Sequence, residues 1–491
     1  MSTRDLREVD RIVVICPVVV AGCQPVLSTL MTTAGATSSP YVSEAPRLGF
    51  VGGFDGVRGI GILMVLFNHA YSNLSPSFAG IIDVFFVMSA FLITTLLLQE
   101  HRDTSTINMR KFYSRRAVRL LPSVYLCIVA WFVVTILFAR ERLTTLVAES
   151  AAAVTYLYEI FFPVGLGALD PRLVTHLSID QFWSLAVEEQ FYLLIAVTVL
   201  VCIRKRWMVQ LAVGLALLAT FIGVSRFMGI PGPVPIPADP AHANPVMRGL
   251  SLLWLSRPDS LMWGVGLAVI NSKLPEPLPA VWRRWLPRVG LVGLVVSAAS
   301  MLLASGFLFQ IANKVGVPYP FVPMGPLDIA HVGDRIYWIN FGHTVTALAF
   351  APAMLAMARI KEWWPNRALS WKPLRFLGRM SYTVYVWHTL VYFIVLHLLG
   401  GDARLGEKWR APILATIAIV ACLPVFYGVE QRMLRVKLRF AAEKEVLDLN
   451  TGKMVPIEQA RAMHRGMVSA EAVEGDVVPE PPAGPPPGTR R

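Results

Sequence analysis

Residues 54–71 read FDGVRGIGILMVLFNHAY, and this apolar run, which carries Arg58 and His69, decides the fold. The two residues are eleven positions apart, so in a helix they lie within roughly 20° of one face and about 16 Å apart along the axis. That separation is about half of a ~30 Å hydrocarbon core. If the run crosses a membrane, a cation lies near one surface and an imidazole near the midplane. Ionisable groups at that depth are costly, so both are candidate functional residues.

The composition is that of an integral membrane protein. Of 491 residues, 55% are hydrophobic and only 16% are charged, and the mean hydropathy is +0.55, far from the balance of a soluble protein. Apolar runs of spanning length recur between polar or basic breaks, so we predict an all-α polytopic membrane protein. The ten predicted transmembrane helices lie near residues 55–73, 80–99, 119–139, 182–203, 208–228, 251–271, 289–310, 339–358, 379–399 and 411–429.

Lys and Arg residues are concentrated on alternate short loops, and this bias orients the predicted helices. The basic loops around Arg115 and Arg204 are placed on the cytoplasmic side, whereas loops 72–80 and 229–247 contain no Lys or Arg. Both termini are therefore predicted to be cytoplasmic. A further apolar stretch, 149–166, is predicted to be re-entrant or interfacial, because another span there would invert every later loop.

The net charge of +13 and the sequence pI near 9.7 come largely from these cytoplasmic loops. No zinc-finger, RNA-recognition or basic-zipper pattern accompanies the charge, so we interpret it as anchoring at the inner membrane surface and predict no nucleic-acid partner. The five cysteines show no CxxC spacing, and we predict neither a metal site nor a disulfide framework.

The two ends of the chain differ from the membrane domain, which we place at residues 51–430. Residues 1–50 are expected to form a mobile or partly non-native extension. VAGC at residues 20–23 resembles a lipoprotein cleavage box, but cleavage there would invert the predicted topology. Residues 431–491 turn basic and then Pro-rich, a composition that cannot bury a core, so we expect a cytoplasmic tail.

A cluster of cations is predicted at the cytoplasmic surface. Arg116 and Arg119 are three positions apart in FYSRRAVRLLP, so they share a helix face at the start of the third span. Together with Arg58 they would form a group of guanidinium forks, which suit phosphate oxygens. The plainer alternative is that these arginines are ordinary membrane anchors.

Three further ionisable residues are predicted within the membrane. Asp83 and Glu188 enter from the outer ends of their spans, where each needs a partner or a wet cavity. Capping or a salt bridge within the bundle, for example with Arg257, explains these acids as well as direct chemistry does. His388 lies near the midplane of its span, where it is either a packed hydrogen-bonding residue or a catalytic one.

At these residues the chain resembles the membrane acyltransferase 3 family. FDGVRGIGILMVLFNHA is similar to the family's opening block, in which Arg or Lys is followed by ten residues and then His. The blocks IIDVFFVMSAFLI, FYSRRAVRLLP, FWSLAVEEQFYLL, SRPDSLMWGVGLAV and GRMSYTVYVWH follow in the family order. Any one block is a weak signal, but the ordered set is specific. The chain departs from the family at three positions, because Ile82 and Ala90 replace usual glycines and Gln181 stands where many members have His.

The resemblance implies an acyl-CoA-dependent O-acyltransferase of the plasma membrane. Such an enzyme would transfer an acyl group, with acetyl the first expectation, to a hydroxyl of a cell-envelope glycan, a glycolipid or another acceptor. Glu188 and Asp83 would orient the acceptor or take up its proton. The resemblance also indicates a single-domain member, without the esterase-like domain that is fused to some relatives.

The resemblance assigns roles to the remaining candidates. Arg58, Arg116 and Arg119 would bind the phosphates of acyl-CoA, and no metal is implied. His69 would act as general base on the acceptor hydroxyl or carry the acyl group as an acyl-imidazole. Further candidates within the quoted motifs are Trp183, Ser184, Tyr382 and His388.

A protein of another class fits some of the same residues. A midplane histidine with acids at a different depth also suits a proton-coupled transporter of a small polar or lipid-linked substrate. The sequence shows neither convincing inverted repeats nor paired broken helices, so the transporter is kept as the alternative.

Overall fold

The computed structural model describes residues 42–70, 76–162, 179–228, 256–318, 321–322, 336–401, 405–437, 445–447 and 454–456. The described chain is predominantly helical. In chain order the helices are α1 (Gly52–Ala70), α2 (Ile81–Thr104), α3 (Met109–Phe138), α4 (Leu143–Val154), α5 (Tyr158–Phe161), α6 (Phe182–Lys205), α7 (Met208–Phe227), α8 (Pro258–Ser272), α9 (Ala280–Leu303), α10 (Gly306–Val315), α11 (Trp338–Arg359), α12 (Trp364–Leu369), α13 (Lys372–Leu399), α14 (Glu407–Val425) and α15 (Gln431–Lys437).

Shorter elements join these helices. Turns of 3₁₀-helix precede α2 and α4, at Pro76–Gly80 and Arg140–Arg142, and a π-helical turn at Phe426–Glu430 separates α14 from α15. The few strands among the described residues form two small two-stranded sheets. The first pairs β1 (Phe321–Val322) in parallel with β2 (Ile336–Tyr337), and the second pairs β3 (Glu445–Leu447) antiparallel with β4 (Met454–Pro456).

Eight helices of the described chain are long and apolar enough to cross a membrane, judged by length and composition. Two of the predicted spans, 55–73 and 251–271, correspond to α1 and α8, which fall outside this set although they pack within the bundle. The all-α polytopic fold is confirmed, whereas the total of ten spans and the cytoplasmic side of both termini stay predictions. The eight helices are Ser77–Thr104, Met109–Phe138, Phe182–Lys205, Met208–Phe227, Ala280–Leu303, Asn340–Arg359, Lys372–Leu399 and Lys408–Val436.

The stretch 149–166 contains no single spanning helix as far as residue 162, where the described segment ends. The chain leaves α4 through Tyr156, whose φ of 55° is in the left-handed region, and then forms the four-residue α5. The 12 residues of α4 extend about 18 Å, which is too short for a ~30 Å hydrocarbon core. The re-entrant or interfacial placement of the stretch stays a prediction.

Helices α1 and α13 pack closely because small residues lie at their contact. A Cβ on Gly59 would collide with the carbonyl oxygen of Leu374, and one on Gly378 with that of Asp55. Small residues let membrane helices approach in this way, since no bulky side chain separates the backbones. The contact places α1, which carries Arg58, against the GRMSYTVYVWH motif of α13.

The apolar packing forms two clusters that meet along α6 and α13. The larger one joins residues of α1, α2, α3, α6, α7, α8, α9, α11, α13 and α14, and the smaller one joins residues of α3, α4, α5, α6 and α13. Side chains of α6 and α13 therefore contribute to both clusters, and polar residues on these two helices lie where the clusters meet. The predicted extension, residues 1–50, is described only from residue 42, and the predicted tail, residues 431–491, is described only at 431–437, 445–447 and 454–456.

Candidate active site

A cavity opens between α1, α2, α3, α6 and α13, and we call it the polar cavity. Its volume is about 180 Å³, smaller than the range of about 300–1,000 Å³ for sites that enclose drug-sized ligands. Its charged lining residues are Arg58 of α1, Arg116 and Arg119 of α3, and Glu188 of α6. The structure therefore brings together the three arginines that were predicted to bind a donor and one of the two predicted acids.

Neighbouring groups hold the charged side chains of the polar cavity in place. The Arg58 guanidinium lies 3.6 Å from the Asp55 carboxylate, one helical turn earlier. Arg116 stacks over the ring of Tyr192, 4.0 Å from its centroid, and the Tyr192 hydroxyl donates to Glu188 Oε1 at 2.6 Å. Cation, ring and acid thus form a chain across the cavity wall, in which stacking on Tyr192 positions the guanidinium fork of Arg116.

The adjacent Arg115 has a different environment. Its Nη2 donates to Glu100 Oε2 at 3.0 Å, within the helical hairpin of α2 and α3. Successive residues on a helix point about 100° apart, so Arg115 turns to α2 while Arg116 lines the polar cavity. Of these two neighbouring arginines, Arg115 therefore joins α2 to α3, and Arg116 is available to a ligand in the polar cavity.

His69 lies beyond the polar cavity and contacts His388. His69 Nδ1 is 2.7 Å from His388 Nε2. On α1 the cavity wall reaches Ile62, and on α13 it reaches Tyr385. At the rise of a helix, His69 lies about 10 Å beyond Ile62 along α1, and His388 lies about 4.5 Å beyond Tyr385 along α13. The histidine pair thus lies next to the end of the cavity that is opposite to Arg58.

A hydroxyl pair forms the cavity wall nearest the histidines. Ser184 Oγ and the Tyr385 hydroxyl are 2.5 Å apart, and the Tyr385 hydroxyl donates to the Gln181 carbonyl oxygen at 2.8 Å. Ser184 Oγ also lies 3.4 Å from this carbonyl oxygen, so either hydroxyl of the pair can donate to the other. Gln181, at the position where many family members have His, is buried and donates to the Val386 carbonyl oxygen at 3.0 Å.

The remaining candidates divide between the cavity and its surroundings. Tyr382 lines the polar cavity, and its hydroxyl donates to the Leu120 carbonyl oxygen at 2.6 Å. Trp183 is outside the lining, with the Arg257 guanidinium 4.6 Å from its ring. Tyr192 and Tyr385 were not predicted. The spacing of Tyr382, Tyr385 and His388, three residues apart on one helix, is the signal that would have identified Tyr385.

Asp83 lies outside the polar cavity, in a group of buried charges. It is fully buried and is contacted by Arg257 Nη1 at 3.2 Å, His343 Nδ1 at 2.6 Å and Ser260 Oγ at 2.8 Å. The sequence analysis did not decide whether Asp83 forms a salt bridge with Arg257, and the structure shows that it does. Beside it, a second fully buried pair joins Arg226 and Asp259 through two contacts of 3.0 Å. We call Asp83, Arg226, Arg257, Asp259 and His343 the closed polar cluster.

Fold and site together define a multi-pass membrane protein with an arginine-lined cavity inside its helical bundle. The chain matches the acyltransferase 3 family model, described as an acyltransferase domain, over residues 51–430, and it belongs to that family. It is therefore a multi-pass acyltransferase-family protein of the plasma membrane. The alternative of a proton-coupled transporter is not favoured by this membership.

Curated relatives carry the names of O-acetyltransferases. A putative O-acetyltransferase of Staphylococcus aureus is 27% identical over 356 residues, covering 71% of this chain and 52% of the relative. The peptidoglycan O-acetyltransferase OatA of Listeria monocytogenes is 26% identical over 367 residues, 74% of this chain and 52% of the relative. A putative peptidoglycan O-acetyltransferase of Bacillus subtilis is 26% identical over 350 residues, with coverages of 69% and 48%. The chain thus spans about half the length of the curated relatives it matches. No solved structure gives a match.

Proposed function

We propose that the protein transfers an acyl group, in the simplest case acetyl, from cytoplasmic acyl-CoA to a hydroxyl of a cell-envelope glycan or glycolipid. The observation that carries the proposal is the convergence of Arg58, Arg116 and Arg119 on one cavity whose opposite end borders the His69–His388 pair. The names of the relatives, which include peptidoglycan O-acetyltransferases, support an acetyl group and a glycan acceptor.

The donor is assigned to the arginine end of the polar cavity. Guanidinium forks bind phosphate oxygens with charge-assisted hydrogen bonds, each contributing about 1.5–3 kcal/mol. With the CoA phosphates on Arg58, Arg116 and Arg119, the pantetheine arm would run along α1. The distance of about 16 Å from Arg58 to His69 at helical rise suits the delivery of a thioester to the histidine end.

The reaction proposed at His69 is an acyl transfer assisted by a general base. The unprotonated imidazole nitrogen takes the proton of the acceptor hydroxyl while the oxygen attacks the thioester carbonyl carbon. The tetrahedral intermediate then expels the CoA thiolate, so a C–O bond forms and the C–S bond breaks. The imidazolium returns its proton to the thiolate, and His69 is neutral again for the next turnover.

An acyl-imidazole is the second way in which His69 can act. In that route the His69 nitrogen attacks the thioester carbonyl carbon, so a C–N bond forms and the C–S bond breaks as CoA leaves as a thiolate. The acceptor oxygen then attacks the acyl-imidazole, a C–O bond forms as the C–N bond breaks, and the hydroxyl proton passes to the freed imidazole and from it to the thiolate. Both routes require a neutral imidazole with a free lone pair. We propose the general base as the principal route, and acyl group retained on the denatured protein distinguishes the two.

The acceptor is assigned to the part of the polar cavity lined by Glu188. This carboxylate is held by the Tyr192 hydroxyl at 2.6 Å and faces the cavity, so it can accept a hydrogen bond from a sugar hydroxyl. An acceptor-side role for Asp83 stays a prediction, and its contacts within the closed polar cluster favour an ion-pair role.

The test uses the full-length protein purified in detergent with radiolabelled acetyl-CoA. The acceptors supplied are peptidoglycan fragments in one arm and a membrane glycolipid extract in the other. Free CoA is measured with a thiol reagent, and label is measured in each acceptor and on the denatured protein. The matched control is His69→Ala, checked by size-exclusion chromatography for a folded, monodisperse state.

We expect release of CoA by the wild type and its abolition in folded His69→Ala. Label transferred to one acceptor class identifies that class as the substrate. Label retained on the denatured wild type in a His69-dependent manner would replace the general base by the acyl-imidazole. Full activity in His69→Ala would overturn the proposed mechanism, and absence of acetyl-CoA turnover by the wild type would overturn the proposed donor.

A further inference from the structure

We propose that His388 is a positioning residue that holds His69 in a single tautomer, with hydrogen on Nδ1 and the lone pair on Nε2. His69 Nε2 is then the nitrogen that reacts. This inference rests on the proposed function, because it names the reacting atom of the proposed acyl transfer. It is carried by the hydrogen bonds around the two rings.

The backbone determines which nitrogen of His388 carries a hydrogen. His388 Nδ1 faces the carbonyl oxygens of Tyr385 at 2.8 Å and Val384 at 3.2 Å, both in the preceding turn of α13. A carbonyl oxygen only accepts hydrogen bonds, so Nδ1 must be the donor. In a neutral imidazole the other nitrogen is then an acceptor. His388 is fully buried, which favours the neutral form because burial penalises charge.

The hydrogen bond between the two rings then determines which nitrogen of His69 carries a hydrogen. His388 Nε2 and His69 Nδ1 are 2.7 Å apart, much closer than the about 3.5–4.0 Å of a van der Waals contact. The ring planes are inclined by only 21°, with centroids 4.8 Å apart. Because His388 Nε2 is the acceptor, His69 Nδ1 must donate, and the lone pair of neutral His69 is left on Nε2.

The surrounding contacts keep the pair in this geometry. Tyr392, one turn after His388, packs edge-on against the His388 ring with centroids 5.8 Å apart. Its hydroxyl donates to the Leu66 carbonyl oxygen of α1 at 3.1 Å, so α1 and α13 are joined at the level of the histidines. On the other side, the Tyr385 ring lies 5.9 Å from His388 and belongs to the cavity wall.

The arrangement has two consequences for the reaction. It places the lone pair on the nitrogen that does not face His388, where both the general-base and the acyl-imidazole routes need it. It also stabilises the imidazolium that forms when Nε2 takes the acceptor proton, because Nδ1–H keeps its acceptor throughout. His388 itself reaches neither the arginines nor the lining of the polar cavity, so its effect is on the rate and not on donor binding.

The test compares His388→Gln with His388→Leu in the full-length protein, using acetyl-CoA and the acceptor identified for the wild type, or CoA release to water if neither acceptor is used. The Gln side-chain oxygen can still accept from His69 Nδ1, whereas Leu cannot. We expect kcat to fall at least 10- to 100-fold in His388→Leu, the range for removing the partner that orients a metal-binding histidine, with the KM for acetyl-CoA unchanged. We expect His388→Gln to recover most of kcat.

The outcomes separate this proposal from the proposed function. An inactive wild type would refute the acyl-CoA chemistry itself. An active wild type with unchanged kcat in folded His388→Leu would refute the role of His388 alone. Equal loss in the Gln and Leu variants, or a rise in KM in place of the fall in kcat, would show a packing role and would also overturn the proposal. If His388→Leu does not fold, His388→Met takes its place, because Met is apolar and adapts to irregular spaces.

Discussion

The sequence predicts the same kind of role for two carboxylates of the bundle, Glu188 and Asp83, but the structure places them in different surroundings. Glu188 lines the polar cavity, is partly exposed, and is contacted by the Tyr192 hydroxyl at 2.6 Å. Asp83 is fully buried, and Arg257, His343 and Ser260 occupy both of its oxygens. One acid can therefore receive a ligand, whereas the other already has its partners within the protein.

This difference separates charges that hold the bundle together from charges that are open to chemistry. A buried ion pair is weak evidence of net stabilisation, but the loss of one partner is expensive because it leaves an uncompensated charge. A charge in a cavity has water or ligand as its partner, so its removal affects binding and rate more than folding. The polar cavity and the closed polar cluster are expected to respond to mutation in these two ways.

The largest effect is expected for Asp83→Ala in the closed polar cluster. It leaves the guanidinium of Arg257, which is 4% exposed, without its carboxylate, and breaking a buried pair in this way costs about 3–5 kcal/mol. We expect low yield and a lower unfolding temperature in detergent. The double variant Asp83→Leu/Arg257→Leu removes both charges and should recover part of the loss. Normal unfolding of Asp83→Ala together with lost turnover would instead place Asp83 in the chemistry.

A smaller effect, on rate and not on folding, is expected for Glu188→Gln in the polar cavity. Gln keeps an oxygen to accept the Tyr192 hydroxyl but removes the charge that would orient the acceptor or receive its proton. Loss of acid–base assistance lowers kcat roughly 10²-fold or more. The measurement is acetyl transfer beside thermal unfolding of the same preparation. An unfolding temperature that falls as far as in Asp83→Ala would abolish the distinction between the two acids.

The smallest of the three effects is expected for Arg116→Gln, which removes one guanidinium from the polar cavity. We expect the apparent KM for acetyl-CoA to rise roughly 10- to 100-fold, the equivalent of one charge-assisted hydrogen bond of about 1.5–3 kcal/mol, with kcat nearly unchanged. Arg110→Gln is the matched control, because Arg110 is an exposed residue on the same helix. Equal KM values in the two variants would mean that only the general basic charge matters.

Neighbouring positions show how far the sequence predicts this site. The arginines were predicted from helix spacing, and Arg58, Arg116 and Arg119 do meet at one cavity. The same reasoning did not predict Tyr192 or Tyr385, because aromatic residues are common in membrane helices for packing reasons alone. It also gave no sign that His69 and His388, 319 positions apart, would contact each other, since that depends on how α1 and α13 pack.

The amino-acid sequence by itself determined the membrane character, the helical class and the family, because hydrophobic length, helical spacing and ordered motifs are local properties of the chain. Only the tertiary structure decided which ionisable side chains face a cavity and which are closed into ion pairs. It separated Glu188 from Asp83, and it joined His69 to His388. The physical reason is that the cost of a charge in the bilayer depends on what surrounds it. Those surroundings come from other helices, distant in sequence, whose packing no single segment specifies.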